Sequence, residues 1–331
     1  MNEPTLVRAT VEAEMLAARG AVDEDYRLLL SASRDDAQAA MTLGLWRMSG
    51  HRIRRDIGLA RDLFGHAAEL GLDAAEDYYI ALLANGAGGL ERRWQGALDR
   101  LRRRAPHNQV AHVQLAVLSA MSLTDSGDPA TSPAIALISR QPRVATITQF
   151  MTHMECRYVS LIAEPLLGPS TVVHPATGAL VQDPIRSSTA ASFPFVAEDP
   201  VLHALNRCIA AVTQTLYEQG EPMQVLSYGL GQEYKLHSDA LPHEPNPRIT
   251  TLLVYLNEDF RGGETHFPRA NLSHRGRTGD ALVFDSVAGD GSPDRLAWHA
   301  GLPVSAGRKL ILSKWIRAEP LDLTGPSARP F

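Results

Sequence analysis

Through residues 1 to about 120, apolar residues recur at three- and four-residue intervals in a text rich in Ala, Leu, Arg and Glu, with little strand signal. This part of the chain is therefore expected to be all helix. The run AQAAMTLGLWRMSG, ending at Gly50, is matched by AAEDYYIALLANG, ending 36 residues later at Gly86. A period of that size, with small residues where helices would cross, predicts stacked helix pairs that bury their faces against one another. Leu59 to Gly71, LARDLFGHAAELG, reads as the second helix of one pair, and a plain helical bundle stands as the alternative.

The pattern then changes. Met121 to Pro133, MSLTDSGDPATSP, gathers Ser, Asp, Gly and Pro between two periodic regions and marks a linker. It separates a helical region at 1–125 from a second domain at 134–320. In the latter, THMECRYVSLIAEPLL and PVLHALNRCIAAVTQTLYEQ read as helices, followed by β-branched and aromatic runs such as RITTLLVYLN, ALVFD and KLILSKWI between Gly- and Pro-bearing turns. Many short strands without long intervening helices predict a double-sheet jelly roll rather than a parallel doubly wound sheet. The expected class is α+β, an all-α repeat region followed by a jelly roll with flanking helices.

Length and charge refine this picture. A chain of 331 residues exceeds one comfortable core, which agrees with two domains. A net charge of −5 gives no overall attraction to nucleic acid or to an anionic membrane. The basic run Arg100 to Arg104 is the local exception and reads as the solvated face of a helix ending at Pro106. Cys156 and Cys208 cannot build a disulfide framework and are expected to be buried thiols. The first twenty residues carry acidic groups and lack a long apolar core, and no apolar run reaches membrane-spanning length, so a cytoplasmic protein is expected.

His237-Ser238-Asp239 places two metal-capable side chains at i and i+2, which on a strand share a face. Composition alone delivers about one such match, and His153-Met154-Glu155 is read as an accident of that kind. His299, 62 residues beyond His237 in WHAGLPVSAGRK, raises the signal. Two histidines and a carboxylate form the facial triad of non-haem Fe(II) oxygenases and leave three coordination positions for a keto acid and O2. A dicarboxylate co-substrate would need a buried cation for its distal end, and Lys309 can supply it. Arg308, of opposite strand parity, then faces away.

Here a resemblance becomes specific. The runs VLSYGLGQEYKLHSDA, RITTLLVYLNEDFRGGETHFP, GDALVFD and WHAGLPVSAGRKLILSKWIR resemble the catalytic core of prolyl 4-hydroxylases over about 95 residues, and the variable stretch from Pro142 to Gln224, with IRSS at 185–188, is similar too. The resemblance implies a double-stranded β-helix that uses Fe(II), 2-oxoglutarate and O2, with ascorbate left open as a rescuing reductant. It implies His237, Asp239 and His299 as iron ligands and Lys309 on the distal carboxylate of 2-oxoglutarate. Tyr228, Thr265 and Trp315 match positions around that co-substrate, with Tyr255 a weaker candidate, and Tyr234 and Arg248 match positions that approach the substrate.

Two departures bear on the substrate. The segment ALPHEPNP between Asp239 and Arg248 is short, and Arg317 stands where some relatives that act on proline-rich peptides carry histidine. The expected function is hydroxylation of a prolyl residue in a peptide or protein, releasing succinate and CO2. The alternatives are hydroxylation of a small molecule or another residue, and a non-catalytic binding module. The N-terminal half resembles the tetratricopeptide superfamily over roughly 90 residues, which implies a surface for a protein partner or for self-association.

Overall fold

The computed structural model describes residues 3–50, 52–88, 90–173, 180–182, 185–241 and 244–323. The chain divides into two compact units. One comprises Met1–Asp128 and Pro194–Ala204 together with the segment from Asp322; the other comprises Pro129–Phe193 and Leu205–Leu321. The division between Asp128 and Pro129 falls inside the expected linker, whereas Pro194–Ala204 was expected with the second domain.

The first unit contains α1 (Glu3–Ala18), α2 (Val22–Ala32), α3 (Ala37–Ser49), α4 (Ile57–Glu69), α5 (Asp73–Asn85), α6 (Trp94–Arg104) and α7 (Gln109–Ala120). Asp36, Asp56 and Asn108 accept backbone N–H groups at the starts of α3, α4 and α7. Gly50 and Gly86 end α3 and α5 at φ of 68° and 66°, a left-handed cap that favours glycine, which accounts for the repeated Gly in the sequence. Small residues let the helices cross closely. A Cβ on Gly44 would lie 2.7 Å from the Phe64 ring, and one on Gly65 would lie 2.9 Å from Tyr79. Around these crossings Ala40, Ile57, Ala60, Phe64 and Leu82 form a continuous buried cluster. The basic run departs from expectation. Arg100 pairs with Glu76, and Arg104 pairs with Asp73 and Asp77, so these two side chains tie α6 to α5 instead of facing water.

In the second unit α8 (His153–Ala163) starts with a capping box between Thr152 and Glu155. The His153-Met154-Glu155 run is thus a helix start. The other predicted helix, α9 (Pro200–Thr213), whose residues from Leu205 onward belong to this unit, is shorter than expected, because Gln214 turns to φ 56° and Tyr217–Gln219 continues as a single 3-10 turn. Among the described residues the strands form two principal antiparallel sheets, beside two two-stranded pairs, Arg261–Gly262 with Val304–Ala306 and Thr171–Val173 with Leu180–Gln182. The large one runs in the order Ala136–Arg140, Arg143–Ile147, Ala281–Asp285, Arg248–Tyr255, Lys309–Arg317, Met223–Tyr228, Thr189–Phe193 and Gly168–Pro169. The small one runs Leu272–His274, Thr265–Phe267, His299–Gly301 and Tyr234–His237. Neighbouring strands come from distant parts of the chain, as a jelly roll requires. Phe267 from the small sheet and Phe284 from the large one meet edge to face at 5.1 Å inside a core with Leu282, Val304 and Ile311.

Candidate active site

The small sheet creates the centre of the site. His237 ends its strand and His299 opens the neighbouring one, and the two are direct register partners, with ring centroids 4.3 Å apart. Asp239 lies in the turn just beyond the strand, so the turn rather than strand parity brings it round. His237, Asp239 and His299 are all buried, and each offers a ligand atom within 4.8 Å of the others. His237 Nδ1 faces the Lys235 carbonyl at 2.8 Å and His299 Nδ1 faces that of Ala297 at 3.1 Å. Each Nδ1–H donates a hydrogen bond to its carbonyl, which leaves Nε2 turned to Asp239, at 3.5 Å from His237 and 3.7 Å from His299. Thr251 Oγ1 donates to Asp239 Oδ2 at 2.6 Å and fixes the carboxylate.

Burial pushes the His299 imidazole down to about 4, against the pull of Asp239, so its ring is neutral. Burial works in the opposite sense on Asp239, but the His237 and His299 imidazoles, in their protonated forms, and the charge of Arg248 outweigh it and hold the carboxyl well below the usual range. Two imidazole nitrogens and an ionised carboxylate converging on one point form a donor set suited to a first-row divalent metal such as iron.

Lys309 opens the strand Lys309–Arg317 opposite Tyr228 and is 4% exposed. Its Nζ donates to the Gly263 carbonyl at 2.6 Å and sits 5.6 Å and 5.7 Å from the ring centres of Tyr228 and Tyr255. Arg308 has the opposite parity: it bonds to Ser227 and makes a two-pronged pair with Glu164. Gly262 and Gly263 turn at φ of 69° and 68°, and a Cβ at Gly262 would stand 2.4 Å from the Pro303 carbonyl.

Tyr228, Thr265, Lys309 and Trp315 line a cavity shared with the two histidines and Asp239. Ser313 lines it too. Its hydroxyl and the Trp315 indole Nε1 are buried without a hydrogen-bond partner among the described residues. An ammonium and two orphaned polar groups in one apolar cavity leave room for the carboxylate oxygens of a dicarboxylate such as 2-oxoglutarate.

Tyr234 lines the cavity and stacks on His237 at 3.6 Å between ring centres, with the Arg186 guanidinium of the IRSS run 5.3 Å from the tyrosine ring. Three expected site residues do not line this cavity. Tyr255 is fully buried in the sheet core, its hydroxyl shared between Thr265 Oγ1 at 3.3 Å and the His274 carbonyl at 3.2 Å, and burial pushes it up to about 12. It supports Thr265 from behind rather than lining the cavity. Arg248 and Arg317 also lie outside the lining and both pair with Glu221. Sequence reasoning missed Glu221, Thr251 and Ser313. The last two carried a signal, as polar residues at the inward parity of otherwise apolar strands; Glu221 carried none.

This fold and this donor set define a non-haem iron oxygenase that takes a dicarboxylate co-substrate. Comparison with known proteins agrees. The 2OG-Fe(II) oxygenase superfamily matches residues 223–317. Prolyl 4-hydroxylase 1 of Arabidopsis thaliana is 34% identical over 200 residues, which covers 55% of this chain and 71% of that protein. Prolyl 4-hydroxylase subunit alpha-1 of Mus musculus is 30% identical over 195 residues, 36% of its length. Among solved structures, the viral collagen prolyl hydroxylase from Paramecium Bursaria Chlorella virus-1 in its 2OG complex aligns with a TM-score of 0.43 at 26% identity, over 53% of this chain and 96% of that one. The chain belongs to the prolyl 4-hydroxylase family of 2-oxoglutarate-dependent dioxygenases, which use Fe(II), 2-oxoglutarate and O2.

Proposed function

We propose that this enzyme hydroxylates a prolyl residue in a peptide or protein, with release of succinate and CO2. The observation that carries the reading is the 34% identity to a prolyl 4-hydroxylase across 71% of that relative. Iron(II) with 2-oxoglutarate, when both are bound, supplies the oxidising power for the C–H bond. The residues of the chain do the rest. His237 and His299 present Nε2 to the metal because Nδ1 is tied to backbone, Asp239 contributes the charge, and Thr251 keeps its second oxygen in place. Lys309, with Ser313 and Trp315, holds the distal carboxylate of 2-oxoglutarate. Leu226, Leu253 and Ile311 form apolar walls that exclude water. Tyr234 and Arg248 approach the substrate.

The test is to supply proline-containing peptides and a panel of small molecules to the iron-loaded enzyme, follow succinate, and locate any gain of one oxygen by fragmentation. Oxygen found on proline supports the reading; succinate coupled only to a small molecule or to another residue overturns it. The helical repeats are proposed to bind the polypeptide or a protein partner, and an unchanged substrate KM after deletion of residues 1–120 would count against that role. The proposed compartment is the cytoplasm, where Cys156 and Cys208 stay as thiols.

A further inference from the structure

Beside Trp315 two guanidiniums share one carboxylate. Arg248 grips both oxygens of Glu221, Nε donating at 2.6 Å and Nη2 at 2.7 Å, and the Nε of Arg317 donates to the same Oε1. Arg248 also lies over the indole of Trp315, 4.3 Å from its ring centre, and Trp315 lines the cavity. Among the described residues no other carboxylate pairs with either arginine. Asp239 acts on Arg248 through space, but its oxygens are engaged by the two histidines and Thr251. The cluster therefore carries one positive charge more than its carboxylate neutralises.

That charge cannot swing away. Arg317 Nη1 donates to the Asn246 carbonyl at 2.6 Å, and the Asn246 side chain bonds the backbone of Glu319 in both directions, at 2.9 Å and 2.8 Å. Gln219 holds the carbonyls of Arg317 and Ala318, and the Ala318 N–H reaches the Pro247 carbonyl at 2.9 Å. The end of the short loop after Asp239 is thus pinned to the last strand; Pro242 and His243 of that loop lie outside the described residues. The Nη1 of Arg248 and the Nη2 of Arg317 have no acceptor among the described residues, and the two side chains keep 17% and 16% exposure. Two fixed cations sharing one anion, with spare donors still open, are satisfied best by a second anion in the same place.

We propose that the Glu221-centred arginine pair is a carboxylate-selecting subsite, so that the polypeptide accepted here carries a carboxylate close to the residue that is oxidised. The proposal rests on the prolyl reading above and adds the charge of the substrate. An acidic side chain and a free C-terminus share this chemistry.

The test uses the full chain loaded anaerobically with Fe(II) and 2-oxoglutarate, and four labelled proline peptides. Three are amidated, with neutral, acidic or basic residues beside the proline, and the fourth is neutral with a free terminal carboxylate. Affinity is read by fluorescence anisotropy, and kcat/KM after admission of air. At low salt the acidic-flank or free-terminus peptide, whichever identifies the source, is expected to bind about tenfold more tightly than the neutral amide. The advantage should shrink as salt rises.

Arg317→Gln should bring the ratio close to one, while Arg317→Lys, which keeps the charge, should retain most of it; loss of the advantage in both variants to equal extent would mark Arg317 as merely structural and overturn the proposal. If Arg317→Gln does not fold, the wild-type salt series still decides. Equal affinity for all four peptides, or binding of none, overturns the subsite and leaves the prolyl reading to its own assay. Preferred binding of a carboxylate-bearing peptide without turnover sinks the prolyl reading and keeps the subsite.

Discussion

Thr251→Val isolates what the hydroxyl does for the metal centre, because valine has nearly the same shape and the position is 1% exposed. The change removes one contact, the 2.6 Å donation to Asp239 Oδ2, and leaves a buried carboxylate oxygen with no hydrogen-bond donor among the described residues. A hydrogen bond to a charged group contributes about 1.5–3 kcal/mol. Part of that loss falls on the metal-free protein as well, so metal affinity is expected to fall about tenfold to a hundredfold, the usual cost of losing a partner of a ligating group. Mn(II) is a redox-stable stand-in for Fe(II), and titration followed by electron paramagnetic resonance gives the affinity directly. Thr250→Val is the control, since Thr250 Oγ1 reaches Asp285 at 3.2 Å and not the site. Equal Mn(II) affinity in Thr251→Val, Thr250→Val and the parent would refute the claim that this bond orients Asp239.

Burial lowers the Lys309 ammonium to about 8, against the opposing pull of Glu264. The charged form is the one that binds a carboxylate, so 2-oxoglutarate affinity should be flat below that pH, weaken about tenfold per unit above it and take up a proton on binding. Calorimetry in two buffers of different ionisation heat, on either side of that value, reads this uptake; a flat profile would be the contrary result. In the helical unit, Gly44→Ala drives a Cβ to 2.7 Å from Phe64, whereas Gly96→Ala meets nothing nearer than the Arg93 Cβ at 3.8 Å. Thermal unfolding should show the first destabilised by about 1–3 kcal/mol and the second stabilised by about 0.5–1 kcal/mol. Cys156 is buried with its thiol pushed up to about 12, chiefly by desolvation, while Cys208 is half-buried. A thiol reagent should therefore label Cys208 in the native protein and Cys156 only after denaturation, and rapid labelling of both would contradict this packing.

Much of the site was readable because its signals are local. Strand parity separates Lys309 from Arg308, and in the structure the lysine is buried while the arginine pairs with Glu164. The 36-residue spacing of Gly50 and Gly86 corresponds to left-handed caps on α3 and α5, since a glycine at that position is a backbone requirement written in one residue. The end of α9 at Gln214 was not readable, because apolar spacing continues past the point where the backbone turns. Cys208 was expected to be buried and is half-exposed, since apolar neighbours in sequence do not say which side of a helix is covered.

By itself the sequence determined the residue types, their parity within each strand, the caps and turns, and hence the fold class and the identity of the two histidines and the carboxylate. What brings His237 against His299 is the pairing of two strands 62 residues apart, and what ties Arg248 and Arg317 to Glu221 is the adjacency of distant segments. Tyr255 shows the same division: its inward parity was legible, but its neighbours Thr265 and His274 come from other strands and turn its hydroxyl into a support for the cavity wall. Periodicity records the direction of a side chain relative to its own backbone, whereas its partners are set by which strands hydrogen-bond across the sheet, and that pairing was decided by the tertiary structure alone.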